Sequence, residues 1–200
     1  SAGSWFLLLE LGLGSTLQNF ISEARAKNED AGKIIASLIP VLLAILSFST
    51  ILLFFISGYL QIFLFKNQPA LLSSEPACLM TIIGLIYTVT ALCGISYRIY
   101  YAEKRGIIAN IFPAAGSIVS FAALLIIDNY NIQRGSLALA AVAVTLPMAL
   151  AALMAFYDVF IRSKQVSPLK IDLKLMKPVF TRAYKFAGMN FMTMLILQID

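Results

Sequence analysis

The sequence predicts an all-α protein, a polytopic bundle of transmembrane helices with five full spans and a truncated sixth. Of its 200 residues, 60% are apolar and only 12% are charged, whereas soluble globular domains carry charge on roughly a quarter of their residues. Too few polar side chains remain to cover a surface that faces water. Long apolar runs, and an alternating distribution of basic residues between them, support the same conclusion.

Six apolar runs approach or exceed the ~20 residues that a helix needs to cross the hydrocarbon core of a membrane. The predicted spans are residues 5–21, 34–65, 77–97, 107–127 and 136–161, and a sixth that starts near Phe186. The first span is short and contains Glu10, whereas the second is longer than a bilayer requires. Because the sixth run ends at Asp200 after about 15 residues, and Ser1 is not a methionine, we expect the chain to be a piece of a longer protein.

Lysine and arginine residues alternate between the connections that join these spans. The first, third and fifth connections hold 3, 3 and 7 of them, and the second and fourth hold 1 each. Since basic residues are retained on the cytoplasmic side of a membrane, the first span is predicted to run from outside to inside. The excess of basic over acidic residues therefore reflects topology, and no nucleic-acid partner is expected.

The composition argues against an enzyme. The chain has no histidine, which excludes Ser-His-Asp and Cys-His machinery and His-ligated metals. Its two cysteines, Cys78 and Cys93, are separated by roughly 22 Å along one helix and cannot form a disulfide with each other. The only adjacent acidic pair, Glu29 and Asp30, is predicted to lie in a solvated loop. We therefore expect no metal and no cofactor.

One side of the first span is polar. At about 100° per residue, four residues fall within about 80° of arc on this side: Glu10, Gly14, Gln18 and Arg25. An ionisable residue inside a span is costly and suggests a pathway or a binding site, so this side is predicted to line a cavity. The alternative is structural, with Glu10 extended to the outer interface or bonded to a neighbouring helix. Gln18 and Asn19 would bond sugar or phosphate oxygens, or cap a contact between helices.

Other polar residues in or near the spans are weaker candidates. Arg98 closes the third span among tyrosines that suggest an interfacial belt, where it either anchors the helix or binds an anion. Asn110 lies near the inner end of the fourth span, and Asp158 near that of the fifth. Asp200 is placed well inside the membrane and is a candidate for binding a proton or a coupling cation.

Prolines and small residues predict how the spans pack. Pro113 and Pro147 lie inside the fourth and fifth spans, where each removes a backbone hydrogen bond and is either a plain kink or a hinge between moving helices. Gly116 and Ser120 form a small-xxx-small pair, which predicts a contact face between helices.

Three stretches carry a resemblance to a known family. Residues 10–33 read ELGLGSTLQNFISEARAKNEDAGK, with an acidic residue, a Gly-hydrophobic-Gly step, a Gln-Asn pair and an E-A-x-A-x-x-x-D ending. This stretch resembles the second transmembrane helix and following loop of Wzx-type polysaccharide (O-antigen and capsule) flippases of the multidrug/oligosaccharidyl-lipid/polysaccharide (MOP) exporter superfamily. Residues 97–120 and 167–200 are similar to the family's loop between helices four and five and to its long connection into helix seven. Glu103 and Lys104 depart from the pattern, since a glutamine is common there.

The resemblance implies a fragment of a two-lobed MOP-type transporter. Residues 1–162 would be helices two to six of the N-terminal lobe, 163–182 a cytoplasmic interfacial linker, and 183–200 the start of helix seven in the C-terminal lobe. The implied substrate is an oligosaccharide on undecaprenyl pyrophosphate, moved to the outer leaflet of the bacterial inner membrane by alternating access. Implied partners are this lipid-linked oligosaccharide, membrane lipids, coupling H⁺ or Na⁺, and the polysaccharide polymerase machinery.

The resemblance also implies roles for the polar candidates. A cavity for this substrate needs cations for the pyrophosphate and amides for the sugar, and its expected lining is Glu10, Gln18, Asn19, Arg25, Arg98 and Asn110. Glu10 and Asp200 are the candidates for ion coupling, and Pro113 and Pro147 for hinges. Two alternatives stay open. One is a cation-coupled multidrug antiporter of the same superfamily, and the other is a membrane scaffold or a polyisoprenyl glycosyltransferase subunit.

Overall fold

The computed structural model describes residues 12–28, 31–65, 77–129, 136–162 and 173–199, and within these ranges every regular element is a helix. In chain order the elements are α1 (Leu13–Ala26), α2 (Gly32–Phe65), α3 (Ala77–Ala102), α4 (Gly106–Asn129), α5 (Ser136–Tyr157), a π-helical turn (Asp158–Arg162) and α6 (Leu173–Ile199). The predicted all-α helical bundle is confirmed.

Within the described ranges, four helical segments are long and apolar enough to cross a membrane: Gly32–Tyr59, Thr81–Ala102, Gly106–Asn129 and Leu139–Phe160. They correspond to the second to fifth predicted spans. The first predicted span is described only in part, as α1, because residues 1–11, including Glu10, lie outside the described residues. Asp200 lies outside them as well.

The last helix, α6, begins at Leu173, well before Phe186, where the sequence predicts the sixth span to start. Three apolar residues of its first half form a buried side: Met176, Val179 and Ala183. This spacing suits a helix that packs on other helices, but basic residues such as Arg182 give the segment the composition of a connection. Residues 173–182 of the predicted linker are therefore helical, and residues 163–172 lie outside the described part of the chain.

At the centre of the bundle lies α3. It packs against α1, α2, α4 and α5, while α1 also packs against α6, and α4 against α5. The core draws most on α3 and about equally on α1, α2 and α6, and its fully buried side chains include Leu17, Leu38 and Ile99. The outward sides of α2 and α4 are apolar instead, and carry exposed residues such as Phe54 and Ile118. Large apolar side chains on the outside suit a surface that faces lipid.

Small residues hold α4 and α5 together. A Cβ atom on Gly116 would come within 3.2 Å of the carbonyl oxygen of Pro147, so the absence of a side chain at residue 116 permits this close approach. Pro147 lacks the N–H that would bond the carbonyl of Ala143, and its ring crowds the preceding turn. In that turn the carbonyl oxygen of Val144 accepts a hydrogen bond from the Ser120 hydroxyl at 2.8 Å, which joins α4 to α5. The predicted contact face of Gly116 and Ser120 is confirmed.

Candidate functional site

The first helix has an apolar side and a polar side. The apolar side is almost completely buried and consists of Leu13, Leu17 and Ile21. On the opposite side, Asn19, Ser22 and Glu23 are exposed and Gln18 is half-buried. Gly14 is buried, although the sequence places it on the polar side, because it lies at the edge between the two. An apolar and a polar side are thus present, but of the predicted polar residues that the structure describes only Arg25 is exposed, and the exposed side is centred instead on Asn19 and Ser22. A cavity in front of this side stays a prediction.

Gly12 brings the start of α1 against α6. It caps the helix with a φ of 70°, a left-handed conformation that other residues rarely adopt. A Cβ atom there would lie 2.5 Å from the carbonyl oxygen of Ala183 and 2.8 Å from the backbone nitrogen of Ala187. The first glycine of the Gly-hydrophobic-Gly step therefore permits a close contact between two helices, a role that the motif alone does not reveal.

Arg25, the predicted cation of the site, is paired at the end of α1. Its Nη2 donates to Oε1 of Glu103 at 2.9 Å, and Nη1 of Arg105 lies 3.7 Å from the other oxygen of that carboxylate. Glu103 belongs to the turn between α3 and α4 and has a side chain only 12% exposed, whereas that of Arg25 is 44% exposed. The charge of Arg25 is thus balanced by a carboxylate at a position where the sequence departs from the flippase pattern.

A second ion pair lies on the other side of α1. Nη1 of Arg182, on α6, donates to Oε1 of Glu23 at 2.8 Å, and both side chains are 47% exposed. The guanidinium carbon of Arg182 also lies 4.4 Å from the centre of the Phe20 ring, which is within the range of a cation–π interaction. Sequence reasoning missed this pair. In the sequence, Arg182 is counted only among the basic residues that set topology, and Glu23 appears only as part of a motif. No local pattern links two positions 159 residues apart.

Tyr100 connects the end of α3 to the π-helical turn. Its hydroxyl donates to Oδ2 of Asp158, the first residue of that turn, at 2.6 Å. The ring is fully buried, stacks on Phe112 with 6.2 Å between ring centres, and has the Arg105 guanidinium 5.5 Å from its centre. The interfacial belt that the sequence suggests is therefore wrong for Tyr100, whose hydroxyl has a partner inside the bundle. Single-turn π-helices are frequent at functional sites.

These contacts bring together the ends of α1, α3 and α5 and the starts of α4 and α6, at one end of the bundle that we call the inner end. A continuous chain of contacts crosses it: Arg25, Glu103, Arg105, Tyr100 and Asp158. The segments that flank the first, third and fifth connections therefore meet on one side, as the alternation of basic residues predicts.

The remaining predicted residues lie elsewhere. Arg98 is exposed near the end of α3, and Asn110 accepts a hydrogen bond from the Tyr101 hydroxyl at 2.6 Å, which places it at the corner between α3 and α4. Pro113 and Pro147 lie inside α4 and α5, and both helices continue through them. Gln18, Asn19 and Arg25 all lie on α1, with Asn19 about 120° around the helix from Arg25, and Asn110 bonds to α3. Glu10 and Asp200 fall outside the described residues.

Comparison with curated proteins finds relatives named for O-antigen export. A protein of Yersinia pseudotuberculosis named as an O-antigen export protein is 30% identical over 132 residues, which cover 65% of this chain and 30% of the relative. A protein of Salmonella typhi named as an O-antigen transporter is 27% identical over 196 residues, or 98% of this chain and 44% of the relative. A protein of the same name from Salmonella typhimurium is 28% identical over 123 residues, or 62% of this chain and 29% of the relative.

The chain therefore spans less than half the length of these curated relatives. No family profile matches the chain, and no solved structure matches it either. The similarity to the three curated proteins confirms the resemblance to the Wzx-type O-antigen flippase family that the motifs indicate. Together with the four span-length helices, it supports a multi-pass membrane protein related to transporters.

Proposed function

We propose that this chain supplies helices of a flippase for O-antigen precursors. The substrate would be an oligosaccharide on undecaprenyl pyrophosphate, and alternating access would carry it from the cytoplasmic to the outer leaflet of the bacterial inner membrane. The observation that carries this proposal is the exposed polar side of α1, which bears Asn19, Ser22 and Glu23. The names of the curated relatives support the same cargo.

A polar helix side is costly where it faces lipid, because hydrocarbon offers no hydrogen bonds. The opposite side of α1 already faces the core, so Gln18, Asn19 and Ser22 need a hydrated or polar surrounding. A sugar chain presents many hydroxyl groups, and side-chain amides both donate to and accept from such groups. We therefore assign the polar side of α1 to the path of the oligosaccharide.

The inner end supplies positive charge for the diphosphate. Arg25 and Arg182 each keep nearly half of the side chain exposed, and guanidinium groups bind phosphate oxygens through two parallel hydrogen bonds. Glu103 and Glu23 orient these two arginines when no substrate is bound. A phosphate group that approaches the inner end then exchanges with one of these carboxylates.

The other parts of this proposal follow from the resemblance. Residues 1–162 form part of the N-terminal lobe and 183–200 begin the C-terminal lobe, joined by the linker 163–182. Glu10 and Asp200 are the candidates for H⁺ or Na⁺ coupling, Arg98 and Asn110 extend the cavity toward the corner between α3 and α4, and the polymerase machinery receives the product. Pro113 remains a hinge candidate. Pro147 is the second hinge candidate, and the bond between Ser120 and Val144 joins its helix to α4.

The test uses the complete protein encoded by the open reading frame that contains this chain, expressed in a bacterial strain deleted for its own O-antigen exporter. Surface O-antigen is measured with the wild type, Asn19→Leu, Arg25→Ala and Glu10→Gln at matched levels in the membrane. Asn129→Leu is the matched control for Asn19→Leu, because Asn129 is an exposed asparagine at the far end of α4.

We expect the wild type and Asn129→Leu to restore surface O-antigen, and Asn19→Leu and Arg25→Ala to reduce it at least about tenfold, the change that a loss of 1.4 kcal/mol gives. Equal export by Asn19→Leu and Asn129→Leu would remove the polar side of α1 from the path. If the wild type restores no tested glycan but confers drug resistance, the antiporter replaces the flippase.

A further inference from the structure

The exposed residues where α3 and α4 meet form one continuous polar surface at the inner end. In the last two turns of α3, residues 95–102, only Arg98 and Tyr101 are exposed. The Tyr101 hydroxyl donates to Oδ1 of Asn110 on α4 at 2.6 Å, and Lys104 is exposed in the turn between the two helices. Arg98 and Asn110 each lie four positions from the helix ends that meet at this turn, so both lie about 6 Å from it along the helix axes. We call Arg98, Tyr101, Lys104 and Asn110 the polar corner.

The donors of the polar corner have no acceptor in the described part of the chain. The other arginines whose side chains are described each contact a carboxylate: Arg25, Arg105 and Arg182. Arg98 contacts none within the same ranges. The acidic residue beside Lys104, Glu103, is held by two of those arginines and its side chain is only 12% exposed. An exposed guanidinium, an ammonium group and the amide nitrogen of Asn110 are therefore free to bind an anion from outside the bundle.

Next to the polar corner, one side of α4 is apolar and exposed along the helix. Its large side chains are between 54% and 80% exposed: Ile107, Ile111, Ile118, Phe121 and Leu125. At about 100° per residue, they fall within about 80° of arc. From Ile107 to Ile118 the axis runs roughly 16 Å, which is close to half of the ~30 Å hydrocarbon core. The inner part of this side thus has the length of one leaflet, and so of the acyl chains in it.

A phospholipid matches this surface in chemistry and in order. A guanidinium group binds two oxygens of one phosphate, and lysine and amide nitrogens donate to further headgroup oxygens. Tyrosine is common at the level of the headgroups. Two positive charges, on Arg98 and Lys104, face a single phosphate. They favour a headgroup with net negative charge and repel the ammonium group of a zwitterionic one.

We propose that the polar corner binds the headgroup of an anionic phospholipid in the leaflet at the inner end, with an acyl chain of that lipid along the apolar side of α4. This site gives Arg98 and Asn110 a lipid ligand in place of the cavity role that the resemblance implies. It does not rest on the proposed function, because the surface faces the bilayer whatever the bundle transports.

The test places a tryptophan beside the site in the complete protein, reconstituted in lipid bilayers. Lipids with bromine on their acyl chains quench a tryptophan that they contact. Ile111→Trp is the reporter on the inner part of the apolar side, after the other tryptophans, Trp5 among them, have been replaced by phenylalanine. Phe121→Trp is the matched reporter, exposed on the same side of α4 but in the other half of the membrane. Brominated phosphatidylglycerol is the anionic probe, and brominated phosphatidylcholine with the same chains is the zwitterionic one.

At residue 111 we expect phosphatidylglycerol to bind at least about threefold more strongly than phosphatidylcholine, because basic residues near the headgroups attract anionic lipids. Arg98→Gln should lower this preference to less than half. Lys177→Gln is the matched control, since it removes one positive charge from an exposed position on α6, and the preference should stay unchanged. The reporter at residue 121 should show no preference, and its unchanged quenching in Arg98→Gln shows that this variant is folded.

Three results would overturn the site. The first is equal quenching of the reporter at residue 111 by the two lipids. The second is an equal loss of preference in Lys177→Gln and Arg98→Gln, which would assign it to the overall charge of the inner end. The third is quenching at residue 121 without any at residue 111, because a protein segment then covers the polar corner. Since lipid contact is measured and not export, failure of the lipid site leaves the flippase assignment standing, and the reverse holds as well.

Discussion

The contact between α4 and α5 is dry and built from small residues, whereas the contact between α1 and α6 runs from a glycine at one end to charged side chains at the other. In the first, Gly116 lets α4 approach Pro147, and Ser120 satisfies a carbonyl of α5. In the second, Gly12 lies against the backbone of α6, and Arg182 donates to Glu23 where both side chains are almost half exposed.

The difference shows how one bundle combines a close contact between small residues with a contact between exposed, charged side chains. Lipid gives helices no hydrophobic reason to associate, so close packing of small residues must hold a permanent contact. Side chains that are half exposed and charged exchange partners with water or ligands at small cost. Three substitutions test this comparison, ordered from the largest expected effect to the smallest.

Gly12→Val should be the most damaging, because valine must adopt a positive φ and place its Cβ against the α6 backbone. Strain and overpacking each cost about 1–3 kcal/mol, so we expect a loss of about 3 kcal/mol in the free energy of unfolding, measured by denaturant titration in mixed micelles. Gly58→Val is the control, since a Cβ on Gly58 would meet nothing within 4 Å. Equal stability of the two variants would show that the α1–α6 contact is loose along its whole length.

Ser120→Ala should have an intermediate effect. It removes the hydrogen bond to Val144 in the turn before Pro147, and hydrogen bonds between membrane helices contribute about 0.6 kcal/mol on average. The same titration should show a loss of about 0.5–1.5 kcal/mol. The control is Ser47→Ala, an exposed serine that bonds only a carbonyl of its own helix, at Leu43. If both variants lose equally little, the bond does not hold α4 and α5 together.

Glu23→Gln should have the smallest effect on stability and the clearest dependence on salt. An ion pair this exposed contributes about 0–1 kcal/mol, so we expect a loss below about 0.5 kcal/mol that disappears at high ionic strength. Glu103→Gln provides the comparison, because Glu103 is largely buried between two arginines. We expect it to lose more stability and to respond less to salt. Identical salt dependence of the two variants would contradict the distinction between an exposed and a largely buried carboxylate.

The apolar composition and the positions of the runs predict the all-α class and four of the spans, because the cost of placing polar groups in hydrocarbon applies to each segment separately. The same reasoning predicts the contact face at Gly116 and Ser120. It also predicts that α1 has an apolar and a polar side, but it places the buried Gly14 on the polar one. It fails at the start of α6, where basic residues next to a buried apolar side resemble a connection. It also misjudges Tyr100, whose partner Asp158 is 58 positions away.

By itself, then, the sequence determined which segments are helical and apolar, which connections share a side of the bundle, and that α1 has one apolar and one polar side. Those properties depend on local composition and on the helical period of 3.6 residues. Only the tertiary structure decided which partners the charged residues take, because Arg25 and Glu103 are 78 positions apart and Glu23 and Arg182 are 159 apart. Such pairs exist only after packing has brought α1 between α3 and α6, and packing also decides that Glu103 is largely buried while Glu23 is almost half exposed.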